Sequence, residues 1–350
     1  DGIGNVIIRK PASPGYENHP GVILQGHMDM VPQKNNDTVF DFSKDPIEAY
    51  VDGEWVTAKG TTLGADNGIG VAAAMAILAD KNVVHPPLEV LVTVDEETGM
   101  YGAFALEGGL LQGKTLLNLD SEAEGELYVG CAGGVDTTAK FAYTPVEVEE
   151  GDVAVKVSVT GCKGGHSGCD IHLQRANANK LLFRFLKEAV ANYEARLASV
   201  EGGSLRNAIP REASAIITIP AEGLDEVMDL VAEFEDLFVA EYDGVEDNIR
   251  FMAEQVECPA TELPEDVQDF LIHAITACPH GVYRVIPEMP DVVETSNNLA
   301  MLTTADDCVT VMCLTRSSVE SRKEELQEII QSVFAMAGAE VEFSGSYPGW

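Results

Sequence analysis

The feature that most constrains the fold is a short, largely apolar run from Val90 to Val94, followed directly by Asp95, Glu96 and Glu97. A continuous run of this length, bounded by polar residues, is typical of a buried strand in an α/β sheet. Ligands of such sheets bind at the carboxyl ends of the strands. Three adjacent carboxylates there repel one another unless a cation or a proton relieves the repulsion. The stretch therefore indicates a cation site, with a solvated acidic turn as the alternative.

Three other segments place similar side chains at the ends of predicted elements. The apolar segment 21–31 contains His27 and Asp29, which point to the same side of an extended chain because they are two residues apart. Asp66 stands in a glycine-rich turn just before a predicted helix, and Asp120 follows another predicted buried strand. A carboxylate beside an imidazole fixes its tautomer, as a metal-bound histidine requires. The alternatives are a structural His–Asp pair and, for Asp66, a helix N-cap.

Together these segments predict one constellation of polar side chains. All of its members are nitrogen or oxygen donors, a set that suits zinc, manganese or cobalt. The members are His27, Asp66, Glu96, Glu97 and Asp120.

The charge balance excludes several classes of partner. With 58 acidic and 22 basic residues the net charge is −36. We expect no nucleic acid and no anionic membrane as partners, because phosphate binding needs Lys and Arg. No apolar run approaches the ~20 residues that span a bilayer. Seven cysteines without a C-x-x-C pair argue against a disulfide framework and for a reducing, cytoplasmic compartment.

After a predicted hinge at Gly133-Gly134, the pattern changes to alternating strands and amphipathic helices, which is typical of an α+β domain. The order of these elements suggests two related halves. In the helix predicted over 224–242, the spacing places Leu224, Met228, Val231 and Leu237/Phe238 on one core-facing side. The other predicted helices cover 71–78, 100–113, 176–193, 265–277 and 319–336, and the predicted strands cover 5–9, 115–120, 153–160, 213–220, 250–255, 292–302, 309–314 and 341–344.

Four motifs, taken jointly, resemble those of the M20 metallopeptidase family. They are Gly26-His27-Met28-Asp29, Gly64-Ala-Asp66-Asn67-Gly68, Asp95-Glu96-Glu97-Thr-Gly99 and Asn118-Leu-Asp120-Ser. The resemblance covers essentially all 350 residues and is strongest to the Xaa-His dipeptidases of that family. It implies an α/β fold, with a zinc-peptidase-like catalytic domain around a mixed central sheet and an inserted α+β lid domain. It assigns residues 1–133 to the N-terminal part of the catalytic domain, 134–345 to the lid and 346–350 to the start of the return to the catalytic domain.

The resemblance also implies a role for each member of the constellation. Two zinc ions would be bound, with Mn²⁺ or Co²⁺ as substitutes. Glu96 would be the general base and Asp29 would orient His27. The metal ligands would be His27 and Asp120 on one ion, Glu97 on the other, and Asp66 as the bridge between them.

In the lid, His166, Asn207 and Arg316 match positions that reach the substrate in this family. The histidine would stabilise the tetrahedral oxyanion, and the asparagine and arginine would hold the C-terminal carboxylate of the peptide. The alternatives are a turn histidine between glycines for His166 and a surface ion pair for Arg316.

The function that the resemblance implies is hydrolysis of short peptides with a free N-terminus, such as Xaa-His dipeptides, by a cytoplasmic enzyme that can form a homodimer. An N-acyl-amino-acid amidohydrolase on the same scaffold and a non-catalytic, truncated homologue are the alternatives. The family also closes its second metal site with a C-terminal histidine, and no residue here matches it. We therefore expect a protein of only these 350 residues to bind at most one zinc ion tightly and to show little dipeptidase activity.

Overall fold

The computed structural model describes residues 1–34, 38–121 and 125–350. The chain divides into two units, unit 1 from Asp1 to Tyr128 and unit 2 from Val129 to Trp350. No helix in these described ranges is long and apolar enough to cross a membrane.

Unit 1 combines short strands with one long helix. Its elements, in chain order, are β1 (Val6–Lys10), β2 (Val22–His27), β3 (Ala49–Asp52), β4 (Trp55–Ala58), α1 (Ala65–Ala79), β5 (Leu88–Thr93), α2 (Tyr101–Phe104) and β6 (Thr115–Asn118).

The main sheet of unit 1 is mixed, which confirms the prediction for the central sheet. Its order is β1-β5-β2-β6, with β1 antiparallel to β5 and with β2 parallel to both β5 and β6. Every residue of β5 is buried, as its continuous apolar run requires. The core of the unit forms where Leu24, Val90 and Val92 pack against Ala74 of α1.

Two expectations for unit 1 are wrong. The glycine-rich region 100–113 contains only the single turn α2, because glycines at 102, 108, 109 and 113 make a continued helix unfavourable. The strand β6 does form, but all four of its residues are exposed rather than buried. Its exposure follows from its place at the edge of the sheet, since among the described strands it pairs only with β2.

Unit 2 is larger and alternates helices with long strands. Its elements, in chain order, are β7 (Gly133–Ala142), β8 (Val146–Glu147), β9 (Asp152–Thr160), β10 (Gly165–His166), α3 (Ala178–Asn192), β11 (Arg196–Gly202), β12 (Ala208–Ile209), β13 (Ala213–Pro220), α4 (Leu224–Glu241), β14 (Arg250–Val256), β15 (Thr261–Glu262), α5 (Glu265–Ala277), β16 (Gly281–Ile286), β17 (Met289–Ala305), β18 (Cys308–Ser317), α6 (Glu320–Met336) and β19 (Glu340–Tyr347).

A nine-stranded antiparallel sheet is the frame of unit 2. The strand order is β14-β9-β13-β11-β17-β18-β7-β19, and β16 adds to β17. On either side of the β11–β17 pair the same plan recurs, as β9-α3-β11-β13-α4-β14 and as β7-α5-β17-β18-α6-β19. The two related halves that the sequence suggested correspond to this repeated plan. The predicted hinge at Gly133-Gly134 is instead the beginning of β7, an interior strand of the sheet.

The core of unit 2 lies between one face of this sheet and the helices. On β9, Val155, Val157 and Val159 belong to the core, and the alternating Lys156 and Ser158 lie on the opposite face. This alternation leaves a polar sheet face that is available to line a groove.

The helix α4 was predicted from the right first residue and one residue too long, and its buried face was partly wrong. Val231 and Phe238 are buried, together with Val227. Met228 and Leu237 are 38% and 40% exposed, because they flank the buried stripe instead of belonging to it.

Candidate metal centre and substrate-binding cluster

The carboxyl ends of three neighbouring strands meet at one edge of the unit 1 sheet. Because β2 is parallel to β5 and β6, the residues after all three strands lie at the same edge. The segment Asp95–Glu97 follows β5, Asp120 follows β6, and Asp66 lies in the first turn of α1. The structure thus brings His27, Asp66, Glu96, Glu97 and Asp120 together.

His27 is at the centre of this arrangement and is only 1% exposed. Its Nε2 lies 3.0 Å from Asp66 Oδ1 and 3.4 Å from Asp120 Oδ1. Its Nδ1 lies 3.0 Å from the backbone oxygen of Asp29 and 3.4 Å from Asp29 Oδ1. The backbone oxygen of Asp29 therefore makes the closer contact with the ring. The carboxylate of Asp66 contacts His27, and the cap position of α1 is Gly64, which has no side-chain cap.

The carboxylate of Asp29 holds the acidic turn that follows β5. Its Oδ1 accepts a hydrogen bond from Glu96 N at 3.1 Å, and its Oδ2 accepts one from Glu97 N at 3.0 Å. These bonds hold the backbone of a turn in which Asp95 has a positive φ of 51°. Asp29 is therefore a positioning residue for Glu96 and Glu97 as well as a neighbour of His27.

The potential ligand atoms fall into two groups that share His27. One group contains His27, Asp66 and Glu97, and the other contains His27, Glu96 and Asp120. Within each group the ligand atoms lie within 4.8 Å of one another. Glu96, for which the resemblance implies a proton-transfer role, is thus as close to a potential metal position as Glu97 is.

The crowding of acids shifts the pKa values of the cluster. Burial raises the pKa of Asp120 to about 6, and the carboxylate of Asp66 adds to this rise. Burial is also the main cause of the raised pKa values of Glu96 and Glu97. For His27, burial acts to lower the pKa, but the surrounding carboxylates raise it by more. The cluster therefore carries an excess of negative charge that a cation would relieve.

Asn67 connects the strand ends that carry these groups. Its Oδ1 accepts a hydrogen bond from His27 N at 3.3 Å, and its Nδ2 donates to the backbone oxygen of Leu119 at 2.9 Å. Glycine is needed at positions 26 and 70, since a Cβ at either would collide with Asn67 Oδ1. The asparagine thereby fixes the ends of β2 and β6 beside each other.

In unit 2, a second polar cluster contains His166, Asn207 and Arg316. The short strands β10 and β12 pair His166 with Ala208, and Ser167 N donates to the backbone oxygen of Asn207 at 2.7 Å. Arg316 Nε donates to Ser167 Oγ at 3.3 Å. Ser167, which is buried, therefore joins all three predicted substrate residues.

Backbone contacts define the tautomer of His166. Its Nδ1 accepts hydrogen bonds from the backbone N–H groups of Gly168 at 3.3 Å and Cys169 at 3.2 Å. Because Nδ1 is an acceptor, the proton of the neutral ring resides on Nε2. His166 can therefore present Nε2–H as a hydrogen-bond donor, which is what an oxyanion requires.

A groove of about 940 Å³ adjoins this cluster on the polar face of the unit 2 sheet. His166 and Asn207 line it, together with the basic side chains of Lys156, Lys163 and Arg211. The loop that carries Asn207 is anchored by Asn298, whose Nδ2 donates to the backbone oxygens of residues 206 and 208 at 3.0 and 2.7 Å. The groove is thus lined by an anchored loop and by side chains of both charges, since Glu201 and Glu212 also line it.

Comparisons with known proteins identify the family. Over all 350 residues the chain is 49% identical to the cytosol non-specific dipeptidase of Escherichia coli (strain K12), and it spans 72% of that protein. Residues 157–246 match the M20 peptidase dimerisation domain. The chain belongs to the M20 peptidase family. The crystal structure of aminoacylhistidine dipeptidase from Vibrio alginolyticus superimposes with a TM-score of 0.79 at 51% identity, covering 100% of this chain and 71% of that one.

The ligand atoms that the unit 1 cluster offers fit a divalent metal ion. The donors are one imidazole and four carboxylates, with no thiolate, and hard to borderline cations such as zinc, manganese and cobalt favour such sets. The raised pKa values of the carboxyl groups agree with this fit, because a bound cation would offset both the cost of burying their charges and their mutual repulsion.

The sequence analysis assigned no role to several residues that shape the two clusters. Asn67 had a usable signal, since it adjoins Asp66 in the same glycine-rich turn. Ser167 had a similar signal, since it lies between His166 and Gly168 in the glycine-rich turn that carries His166. Tyr347, whose hydroxyl accepts a hydrogen bond from Arg316 Nη1, gave no local signal because it lies 31 residues away along the chain.

Proposed function

We propose that the protein is a metal-dependent dipeptidase that acts on peptides with a free N-terminus. The observation that carries this proposal is the pair of ligand groups that share His27 at the carboxyl edge of the unit 1 sheet. The names of the two relatives, cytosol non-specific dipeptidase and aminoacylhistidine dipeptidase, support dipeptide substrates, with Xaa-His among them, and a cytoplasmic location.

The proposed cofactor is a pair of zinc ions, with Mn²⁺ or Co²⁺ as substitutes. When bound, the ions would bring the pKa of a water molecule close to neutrality and would polarise the scissile carbonyl group. The proposed ligands are His27 and Asp120 for one ion, Glu97 for the other, and Asp66 as the bridge.

The proton transfers are assigned to Glu96. Its carboxylate would accept the proton of the attacking water and pass it to the leaving nitrogen of the peptide. Asp29 would keep this carboxylate in place, since it binds the backbone N–H groups of Glu96 and Glu97. It would also help to fix the ring of His27.

Substrate binding is assigned to the unit 2 cluster. The Nε2–H of His166 would donate to the oxyanion of the tetrahedral intermediate, in agreement with the tautomer that its backbone contacts define. Asn207 and Arg316 would hold the C-terminal carboxylate of the peptide. In this proposal residues 1–133 belong to the catalytic domain and 134–345 form the lid. The match to a dimerisation domain supports a homodimer.

The proposal is tested by comparing a free dipeptide with its N-acetylated form, using protein expressed from its complete gene and loaded with zinc. We expect hydrolysis of the free dipeptide, much slower hydrolysis of the acetylated one, and loss of activity on treatment with a chelator. The Glu96→Gln variant, prepared identically, controls for contaminating peptidases. Preference for the acetylated substrate would instead indicate an amidohydrolase, and no turnover of either would indicate a non-catalytic protein.

A further inference from the structure

Among the described residues, Arg316 has no acidic partner, although the chain is strongly acidic. No carboxylate of the described residues lies within ion-pair distance of its guanidinium, and the neighbouring Asp136 pairs with Arg206 at 2.9 Å instead. In a protein of net charge −36, a cation that is left unpaired is positioned to receive an external anion.

Two side chains hold the guanidinium of Arg316. Its Nε donates to Ser167 Oγ at 3.3 Å, and its Nη1 donates to the hydroxyl of Tyr347 at 3.0 Å. Within the described ranges Nη2 has no hydrogen-bond partner. The plane of the guanidinium is therefore fixed on one side, while Nη2 and the second hydrogen of Nη1 remain for an end-on, two-point contact with a carboxylate.

Tyr347 is itself held firmly by its surroundings. Its ring lies against Gly134, where an added Cβ would come within 2.7 to 2.8 Å of the ring atoms and the hydroxyl oxygen. Its backbone oxygen accepts a hydrogen bond at 2.7 Å from Nζ of Lys323, a lysine that is only 1% exposed. Lys323 is in turn paired with Glu320 at 2.9 Å. The position of the phenolic oxygen is thus determined by β7, α6 and β19 together.

We infer that Tyr347 is a positioning residue that orients Arg316 toward the C-terminal carboxylate of the substrate. The inference rests on the proposed function, because it needs Arg316 to bind that carboxylate. A hydrogen bond to a charged donor restricts the guanidinium to one orientation before the substrate arrives, so less conformational freedom is lost on binding. Tyr347 would act only through Arg316 and would not touch the reacting atoms.

The test is the Tyr347→Phe substitution, which keeps the ring against Gly134 and removes only the hydroxyl. For a free dipeptide we expect KM to rise about three- to tenfold with kcat nearly unchanged, because the lost hydrogen bond acts on the substrate only through Arg316. For the C-terminal amide of the same dipeptide, KM and kcat should stay as they are. Tyr143→Phe is the matched control, since Tyr143 is a half-buried tyrosine of the same unit whose hydroxyl bonds no described residue.

Arg316→Ala separates this inference from the proposed function. Arg316→Ala should penalise the free dipeptide far more than its amide, and adding Tyr347→Phe to Arg316→Ala should cause no further change. If Arg316→Ala discriminates between acid and amide while Tyr347→Phe does not, the positioning role is wrong and the carboxylate clamp stands. If Arg316→Ala affects acid and amide equally, or if the unsubstituted enzyme hydrolyses no dipeptide, the clamp fails and the positioning role fails with it.

Discussion

Among single residues, Glu96 and Glu97 divide the proposed chemistry, although both lie close to His27. Glu96→Gln should lower kcat by about 10² to 10⁴, the usual contribution of a general base, while both metals remain bound. Glu97→Gln should lower the metal content as well, because a neutral amide is a weaker ligand than a carboxylate. Elemental analysis beside steady-state kinetics checks both statements. Loss of a metal from Glu96→Gln, with full occupancy in Glu97→Gln, would exchange the two roles.

His280 provides a second residue-scale prediction, outside the proposed chemistry. Burial lowers its pKa to about 4, and the positive charge of Lys180 adds to the effect. Its Nδ1 faces two donors, Asn177 Nδ2 at 3.1 Å and Leu299 N at 3.3 Å, which disfavour a proton on that nitrogen. An unfolded histidine titrates near pH 6.5. The stability contributed by the neutral ring is therefore complete above about pH 6.5 and is lost as the pH falls towards 4.

The variant His280→Gln should be less sensitive to acid in its free energy of unfolding. Between pH 7 and pH 4 the unsubstituted protein should lose roughly 3 kcal/mol more than the variant, since the pKa difference is about 2.5 units. Denaturant unfolding at several pH values measures this difference. His273→Gln, at an exposed position of α5, is the control and should follow the unsubstituted protein. Identical acid sensitivity in His280→Gln would contradict the prediction.

The sequence allowed the prediction of one kind of site residue and not of another. His27, Glu96 and Asp120 could be identified because each stands at the end of an apolar run, so local pattern and chemistry coincide. Tyr347 and Asp136 could not be identified, because their contacts with arginines depend on strand pairings across the chain. Their chemistry becomes visible only when β7 and β19 are known to be neighbours.

At the scale of elements, the helices of unit 2 were predictable and the position of β7 was not. The 3.6-residue periodicity of α3, α4 and α6 is a local signal. The strand β7 begins with Gly133 and Gly134, which are typical of a turn, and its place between β18 and β19 depends on residues about 166 to 213 positions later in the chain. Long-range pairing of this kind leaves no local pattern in the sequence.

The element-scale prediction concerns the junction of the two halves of unit 2, where β11 meets β17. Gly203, just after β11, has a φ of 69°, and an added Cβ would collide with the backbone oxygen of Ala300. Gly203→Ala should therefore lower the free energy of unfolding of unit 2 by about 1 to 3 kcal/mol or more. Gly223→Ala is the control, since Gly223 has a negative φ and open space around it. Urea unfolding measures both variants, and equal stability of the two would contradict the prediction.

For the molecule as a whole, the domain boundary predicted at 133/134 stays a prediction, and the described division of the chain lies at Tyr128/Val129. What the whole chain does show is a separation of chemistry between the units. All proposed metal ligands lie in unit 1, whereas the large hydrophobic core lies in unit 2. This separation has a measurable consequence, because a ligand stabilises only the structure to which it binds.

Zinc should therefore protect unit 1 against local opening and leave unit 2 almost unaffected. The core of unit 1 is small, formed by Leu24, Ala74, Val90 and Val92 with a few partly buried neighbours. A metal at 100 times its Kd would add about 2.7 kcal/mol to the stability of unit 1.

Hydrogen exchange with peptide resolution, on protein expressed from its complete gene, resolves the two units in one experiment. We expect slower exchange after zinc addition in the peptides that contain β2, β5 and the first turn of α1, and unchanged exchange in β9, β13 and α3. A Glu97→Gln sample should show weaker protection, because it lacks a proposed ligand. Protection of equal size in the β9 and α3 peptides would contradict the assignment of the metal to unit 1.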